Sequence, residues 1–471
     1  MSANEPLKRE AIAKLEAGGL FAFGVSEQAH GSDLLANEFT ARAAGPERWI
    51  ADGKKYYIGN ANAAGIISIL ARKGDAESSG ARRMPFVFFA MRPQETPAFQ
   101  NLQKIRTLGV RTAFVGEFEV KQHAFSQADV ISEGREAWDA ILGTVNFGKF
   151  FLGFGAVGIC EHAFAEAIVY LRQRVLYGKP VTEMPHIRAA TALAFARLLA
   201  MKLYAYRALD YLQAASDDDR RYLLFNAVQK ARVSTEGVKV LALLSECLGA
   251  RGFETETYFE SALRDAQLIP GLEGSTHINF GLTAQFIEPY FAERADDVAA
   301  PGSLVLREAK PDENPYWLHA RDRNARTVRF AHCLQACEGL SSDVNMQAFT
   351  QQVQAFRQFA EHHVPALHPS ADAGLLITAG KCFAVIAYAQ LVAESCSAVQ
   401  TASAVVTLIF HGFIEDLSAE ALKLAAMYPA DSIARIQLQS VVQVPQTGPA
   451  DFAAMLEIIA TRYLPGYGNG A

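Results

Sequence analysis

The stretch AWDAILGTVNFGKFFLGFGAVGICEHAFAEAIVYLRQRVLYGK, from Ala137 to Lys179, sets the architecture that we predict for this chain. Apolar residues recur in it every three or four positions for more than about ten helical turns, and Gly178 and Pro180 end the pattern. Two further stretches of this kind follow, at about 185–215 and 218–250. Helices of such length favour a bundle of antiparallel helices.

The chain before this helix, from about Gly19 to Val130, is typical of β structure. Short runs rich in Val, Ile, Phe and Tyr alternate with turn residues, and IISILAR, PFVFFAM and GEFEVKQH are predicted strands. In WIADGKKYYIGNA, the Asp52-Gly53 pair predicts a hairpin turn between two strands. Short strands with close turns predict a small antiparallel β-barrel or sandwich.

Residues 299–317 are rich in proline and charge, which indicates a linker, and helical periodicity returns after them. We therefore expect an α+β fold that is mainly α. The predicted segments are a remnant N-terminal helix at 1–18, a β domain at 19–132, a four-helix bundle domain at 133–298, the linker at 299–317 and a C-terminal helical domain at 318–471.

Composition excludes several classes of function. The 471 residues are half hydrophobic and carry a formal charge of −6, which gives no reason to expect nucleic acid or an anionic membrane surface as a partner. The N-terminal MSANEPLKRE has no apolar run of the kind that signal peptides contain. No stretch approaches the roughly 20 uninterrupted apolar residues of a membrane span. We expect a cytoplasmic protein.

Two local patterns are interpreted as structural. Cys333 and Cys337 are four residues apart beside His332, but no second ligand pair has zinc spacing, so buried thiols are expected and no metal is predicted. GFGAVG, from Gly153 to Gly158, matches a dinucleotide fingerprint but lies inside a continuous helical pattern. We interpret the glycines at 148, 155 and 158 as positions where a neighbouring helix comes close.

Six short segments occur in the order found in flavin-dependent acyl-CoA dehydrogenases, a family that this chain resembles over about residues 7–292. The segments are VSEQAHGSD, IADGKKYYIGNA, RQRVLYGK, CLGARGFETE, ALRDA and LEGS. The resemblance implies that the β domain and the helical bundle enclose FAD. It also implies that most of the family's N-terminal helical domain is missing and that the C-terminal helical region is an addition.

The resemblance implies flavin-binding roles for matched positions. Tyr57 keeps an aromatic surface for the flavin ring, whereas Gly59 replaces a threonine and loses its hydroxyl. Arg174 matches an arginine that reaches the diphosphate of FAD in a neighbouring subunit. Leu176 stands where the family has a threonine, and Glu246 stands where a glutamine is usual. The implied FAD contacts are Val25, Ser26, Gly31, Ser32, Tyr57, Gly59, Arg174, Gly252, Ser275 and His277.

The resemblance also implies a substrate site formed by Ser32, Lys149 and Gly274, and a catalytic base at Glu273. Lys149 keeps the charge of a family arginine near the thioester but not its planar fork. A base must reach the proton α to the thioester, and burial beside Leu272 would raise the pKa of Glu273. Without the resemblance, Glu273 in PGLEGSTHIN is interpreted as an acid in the first turn of a helix.

The function implied is FAD-dependent α,β-dehydrogenation of an acyl thioester, carried by CoA or by a carrier protein. Two alternatives stay open: a catalytically impaired subunit that pairs with a complete acyl-CoA dehydrogenase, and a flavin monooxygenase on the same scaffold. Electron-transfer flavoprotein is the implied electron acceptor. A homodimer, a homotetramer or a hetero-oligomer with a related subunit is expected, with no nucleic acid or membrane as a partner.

Overall fold

The computed structural model describes residues 2–74, 85–292, 299–303, 314, 316, 327–331, 333–364 and 372–464. The chain divides into two compact units, one comprising 1–145 with 315–321 and the other 146–314 with 322–471. The first unit contains the sheet, and the second contains most of the helices.

The first unit is built on helix α1 (Glu5–Glu16) and one eight-stranded sheet. The strands are paired in the order β6-β7-β3-β2-β4-β5-β8, and β1 pairs with β4. Their bounds are β1 Leu20–Gly24, β2 Thr40–Ala43, β3 Arg48–Gly59, β4 Ala64–Lys73, β5 Phe86–Met91, β6 Phe99–Lys104, β7 Val115–Ser126 and β8 Val130–Glu133. The three predicted strands are therefore confirmed as β4, β5 and β7.

The purely antiparallel pairing that we predicted is wrong. Strands β1 and β2 each run parallel to β4, while the other pairs are antiparallel. Among the described residues β6 and β8 are the two ends of the strand order, so the sheet does not close into the predicted barrel. Parallel pairing joins strands that are distant in sequence, and neither strand periodicity nor turn residues encode it.

The hairpin predicted at Asp52-Gly53 is also wrong, because β3 runs straight through this pair. The register with β7 shifts between Ala51 and Gly53, which marks a β-bulge. Gly53 has a φ of 147°, and a Cβ atom there would lie 2.7 Å from the ring of Phe39. The glycine serves close packing against Phe39 here, which the sequence does not distinguish from a turn.

The second unit contains the long helices that the sequence predicts. Helix α2 begins in the first unit and continues into the second, and the π turn Gln229–Val233 joins α4 and α5 into one continuous helix. The bounds are α2 Gly134–Gln173, α3 Pro185–Gln213, α4 Tyr222–Val228, α5 Ser234–Leu248, α6 Tyr258–Leu268, α7 Thr276–Ala284, α8 Ile287–Phe291, α9 Cys333–Glu338, α10 Val344–His363, α11 Ala373–Ala398, α12 Ser403–Ala425, α13 Ile433–Gln439 and α14 Pro449–Ile458. A two-residue hairpin, β9 (Val175–Leu176) with β10 (Lys179–Pro180), follows α2.

Helices α9 to α14 share a compact unit with the bundle, which differs from the separate C-terminal domain that we predicted. Helix α11 packs against α7 so closely that a Cβ atom on Gly380 would lie 2.2 Å from the carbonyl oxygen of Phe280. The Thr283 hydroxyl donates to the Gly380 carbonyl at 3.2 Å. Most of the predicted linker at 299–317 lies outside the described residues.

Helices α2 and α11 are long and apolar enough, by length and composition, to cross a membrane. In α11, 72% of the apolar window is buried inside the protein, against 44% in α2. Core helices of soluble proteins pass the same test, so two such helices are weak evidence for a span.

Cys333 and Cys337 are buried, as predicted, and their sulfurs lie 3.8 Å apart. The other four cysteines are buried as well. His332 lies outside the described residues.

Candidate active site

Glu273 lies in a tight loop between α6 and α7, ahead of the helix. Its φ is 49° and that of Gly274 is 85°, so two successive residues have left-handed backbone. Helix α7 begins at Thr276, and the hydroxyl of Ser275 caps it by accepting the Ile278 amide at 3.4 Å. The interpretation of Glu273 as a first-turn acid is therefore wrong. A non-glycine residue in this backbone region is uncommon and typical of functional sites.

The carboxyl group of Glu273 lies against Gly148 of α2. A Cβ atom on Gly148 would come within 2.9 Å of the Glu273 Cδ atom and 3.0 Å of its Oε1 atom. Glycine at 148 thus makes room for the carboxyl group, not for a neighbouring helix as we predicted. Apart from adjacent residues and the backbone of α2 itself, no atom of the described residues lies within 4 Å of the Cβ positions of Gly155 and Gly158. The fingerprint Gly153–Gly158 lies wholly inside α2, as expected for a chance match.

Two lysines act on the half-buried carboxyl group of Glu273. Burial raises the pKa of Glu273, and the positive charges of Lys149 and Lys230 oppose the rise. Burial also lowers the pKa of Lys230 to about 8, helped by Lys149 and opposed by Glu273. A general base needs a carboxylate that is partly shielded from water but can still ionise. Burial and the two nearby cations give Glu273 these two properties.

Lys230 is a residue of this site that the sequence analysis missed. It lies in the π turn between α4 and α5, it is fully buried, and its ammonium group donates to the carbonyls of Pro270 and Gly274. The Gly274 bond measures 2.7 Å. The available signal was a lysine inside the apolar run YLLFNAVQKARV, where a solvated charge is not expected.

The segment of Arg174, predicted to reach the FAD diphosphate, and the segment of Gly252, predicted to contact FAD, meet at Tyr170. The guanidinium carbons of Arg174 and Arg251 lie 5.6 Å and 5.0 Å from the centre of this ring. Gly252, beside Arg251, is buried where a Cβ atom would lie 2.8 Å from the Ser245 carbonyl oxygen. The structure therefore gathers two exposed arginines at the C-terminal end of α2.

Three of the positions that depart from the family pattern are exposed. Leu176 lies in the small hairpin, Glu246 is on α5, and His277 is in the first turn of α7. None of the three is buried against the Glu273 carboxyl group. Leu272, predicted to favour burial of Glu273, is itself 39% exposed.

In the first unit, a buried lysine holds the loop after β1 that was predicted to touch flavin. The Lys55 ammonium group donates to the Val25 carbonyl at 3.1 Å, to the Glu27 carboxylate at 2.8 Å and to the Asn37 side chain at 2.6 Å. Burial lowers the pKa of Lys55 to about 8, opposed by Glu27. The Ser26 carbonyl accepts the Tyr56 amide at 2.9 Å.

The other predicted flavin contacts of the first unit are exposed. Gly31 has a φ of 53° and lies beside Ser32 at the exposed end of the loop. Tyr57 has a φ of 62° at an irregularity of β3 and is 60% exposed. Gly59 ends β3 with no atom within 4 Å of its Cβ position, so no described side chain stands in for the missing hydroxyl there.

Two family models match parts of this chain. The family profile described as "Acyl-CoA dehydrogenase, middle domain" matches residues 22–123, and "Acyl-CoA dehydrogenase, C-terminal domain" matches residues 136–287. The glutaryl-CoA dehydrogenase of Desulfococcus multivorans is 27% identical over 279 residues, which is 58% of this chain and 69% of the relative. The human mitochondrial short-chain specific acyl-CoA dehydrogenase is 25% identical over 257 residues, 54% of this chain and 60% of the relative.

One solved structure extends the similarity to nearly the whole fold. The acyl-CoA dehydrogenase of Bacillus anthracis, complexed with FAD, aligns with a TM-score of 0.73 at 16% identity and covers 98% of this chain and 78% of its own. At this identity the similarity concerns the fold, including helices beyond residue 287. The matches to the two curated relatives cover only 60–69% of their length.

Proposed function

We propose, since the chain belongs to the acyl-CoA dehydrogenase family, that it oxidises an acyl thioester between the α and β carbons with Glu273 as the base. Members of this family are oxidoreductases that bind FAD. The observation that carries the proposal is the half-buried Glu273 carboxyl group, seated against Gly148 and supported by two lysines.

The residues of this chain fit FAD. Arg174 and Arg251 converge on one ring, and paired guanidinium groups suit the oxygens of a diphosphate. The exposed ring of Tyr57 offers a surface for stacking, and Gly31 with Ser32 offers exposed loop backbone for a polar edge. Bound FAD would accept the hydride that leaves the β carbon.

The chain itself would supply proton removal and positioning. The ionised Glu273 carboxylate takes the proton from the α carbon, which is the demanding part because the carbanion is high in energy. Lys149 and Lys230 keep a share of Glu273 ionised in spite of burial. Gly148 lets the carboxyl group sit close to α2 in one position. A base fixed in this way avoids the loss of rate that comes with misplacement.

The visible spectrum of the purified full-length protein, followed by anaerobic titration with butyryl-CoA and glutaryl-CoA, tests the proposal. We expect flavin absorbance that bleaches with one of the thioesters. Glu273→Gln should keep the flavin and lose at least ~100-fold in bleaching rate, the usual worth of a positioned base. Glu256→Gln, an exposed carboxylate outside the site, is the matched control and should bleach like the wild type.

The same measurement separates the alternatives. A colourless protein that FAD does not reconstitute would favour the non-catalytic subunit, for which the open space at Gly59 is the supporting observation. A flavoprotein that thioesters leave coloured, but that consumes NADH and oxygen, would favour a monooxygenase. Full bleaching in Glu273→Gln would remove Glu273 from the mechanism. Electron-transfer flavoprotein as the acceptor and an oligomeric assembly remain part of the proposal.

A further inference from the structure

The Glu273 loop has to be held in a backbone conformation that its sequence does not favour. Glu273 and Gly274 both have left-handed φ values, and only the second is a glycine. Such residues persist where the surroundings fix them. The side chains that hold this loop in place are therefore part of the site.

Among the described residues, three side chains hold the loop through hydrogen bonds. Ser275 caps α7, and the buried Asn279 amide group donates to the carbonyls of Gly274 and Ser275 at 3.0 Å each. Both of these act on the C-terminal side of Glu273. Lys230 bonds carbonyls on both sides, Pro270 before Glu273 and Gly274 after it.

Lys230 also sits where its own backbone departs from the α-helix. The π turn Gln229–Val233 inserts a wider turn between α4 and α5, and such turns are frequent at functional sites. The neighbouring Gln229 amide group donates to the Phe150 carbonyl of α2 at 3.3 Å. A Cβ atom on Gly153 would lie 2.4 Å from that amide nitrogen. The π turn is thus packed closely between α2 and the Glu273 loop.

We propose that Lys230 is the positioning residue of the Glu273 base, holding the carboxyl group against Gly148 through the Pro270 and Gly274 carbonyls. The inference rests on the proposed function, in which Glu273 takes the α proton. A lysine suits the task because one ammonium group has three donors for carbonyls of different residues. Its charge, with that of Lys149, also favours the ionised base.

The sign of the pH effect follows from the groups around Glu273. The charged groups that act on it are Lys149 from α2 and Lys230 from the π turn, and both lower its pKa against the effect of burial. Loss of the Lys230 charge therefore raises the pKa of Glu273. The bleaching rate rises with pH as Glu273 ionises, and this rising part of the rate–pH profile is its acid limb. In a variant without the Lys230 charge, the acid limb should therefore move to higher pH.

The test uses flavin-loaded full-length protein and rapid anaerobic mixing with the bleaching thioester, butyryl-CoA or glutaryl-CoA. In Lys230→Met we expect the rate at saturating thioester to fall at least ~10-fold because the base is misplaced. The thioester concentration at half-maximal rate should change less, and the acid limb should move to higher pH. Lys230→Arg, which keeps the charge, should return the acid limb towards the wild type.

Lys239→Met is the matched control, since Lys239 lies on the same continuous helix and bonds Asp416 rather than the loop. A rate and an acid limb like those of the wild type in Lys230→Met, or equal losses in Lys239→Met, would overturn the proposal. Should Lys230→Met fail to fold, Lys230→Gln, which keeps an amide donor group without charge, carries the same test.

Hydrogen exchange separates this proposal from the proposed function. Amide exchange in residues 270–279 should be faster in Lys230→Met than in the wild type, with the rest of α7 unchanged. This readout does not depend on any thioester reacting. Unaltered exchange in that segment overturns the positioning role, whereas a wild type that no thioester bleaches counts against the function alone.

Discussion

At the scale of single residues, Gly148 shows how a site can depend on an atom that is absent. Its missing side chain leaves the space in which the Glu273 carboxyl group lies. From the sequence we predicted that this glycine serves helix packing, because a glycine in a helical pattern does not show which residue faces it. The partner, 125 positions later in the chain, is brought there only by folding.

We predict that Gly148→Ala reduces thioester-dependent bleaching at least ~10-fold while the protein keeps its flavin and its stability. The new methyl group would displace the Glu273 carboxyl group, and small displacements of a base are costly. Alanine is better than glycine in a helix by about 1 kcal/mol, so a loss of stability is not the expected cause.

Gly155→Ala is the matched control for this prediction. It lies on the same helix, and in the described part of the chain no atom outside the neighbouring backbone of α2 lies within 4 Å of its Cβ position. We expect normal bleaching and a melting temperature equal to or above that of the wild type. Equal activity in Gly148→Ala and Gly155→Ala would show that the Glu273 carboxyl group is not confined by α2.

At the scale of elements, buried ion pairs join helices that lie far apart in the sequence. Asp416 of α12 accepts from Arg197 of α3 at 2.8 Å, from Lys239 of α5 at 2.8 Å and from Arg232 of the π turn. Glu236 of α5 pairs with Arg197, Arg232 and Lys239 as well. The cluster thus connects α12, beyond the family match, to the helix that holds Lys230.

We predict that Asp416→Asn lowers the free energy of unfolding by about 3–5 kcal/mol, the usual result of breaking a buried pair from one side. The remaining cations would be left with Glu236 as their main counter-charge. The neighbouring cations hold the pKa of Asp416 far below its usual range, so its stabilising charge is present at neutral pH. Urea unfolding at pH 7 measures the loss.

Glu415→Gln is the control for that measurement. Glu415 is adjacent in sequence, but its side chain is 50% exposed and 3.8 Å from Arg197. Exposed pairs contribute up to about 1 kcal/mol, so we expect a change within that range. A similar loss in both variants would mean that the contribution of these ion pairs to the free energy of unfolding does not depend on their burial.

At the scale of the whole molecule, the helices after residue 331 are part of the same compact unit as the bundle. Helix α11 is buried almost continuously from Ala379 to Ala393 and packs on α7 at Gly380. We therefore predict that removal of 332–471 leaves an insoluble chain, because the apolar faces of α3 and α7 would be exposed to water.

Size-exclusion chromatography and circular dichroism of the shortened chain check this prediction. Co-expression of residues 332–471 as a separate polypeptide is the control and should return soluble protein if the loss is one of core packing. A soluble, flavin-containing, cooperatively unfolding product of 1–331 alone would contradict the prediction.

The sequence was sufficient for the long helices, for three strands and for the family, because periodicity and ordered motifs are local properties of the chain. It was sufficient for rejecting the fingerprint at Gly153–Gly158, since a helix surrounds it. The base at Glu273 is what the resemblance implies, and it stays a prediction. The sequence was insufficient for the parallel strand pairs, the bulge at Gly53, and the unity of α9–α14 with the bundle. Each of these depends on contacts between residues far apart in sequence, as do the roles of Gly148 and Lys230 beside Glu273, and such contacts exist only once the chain has folded.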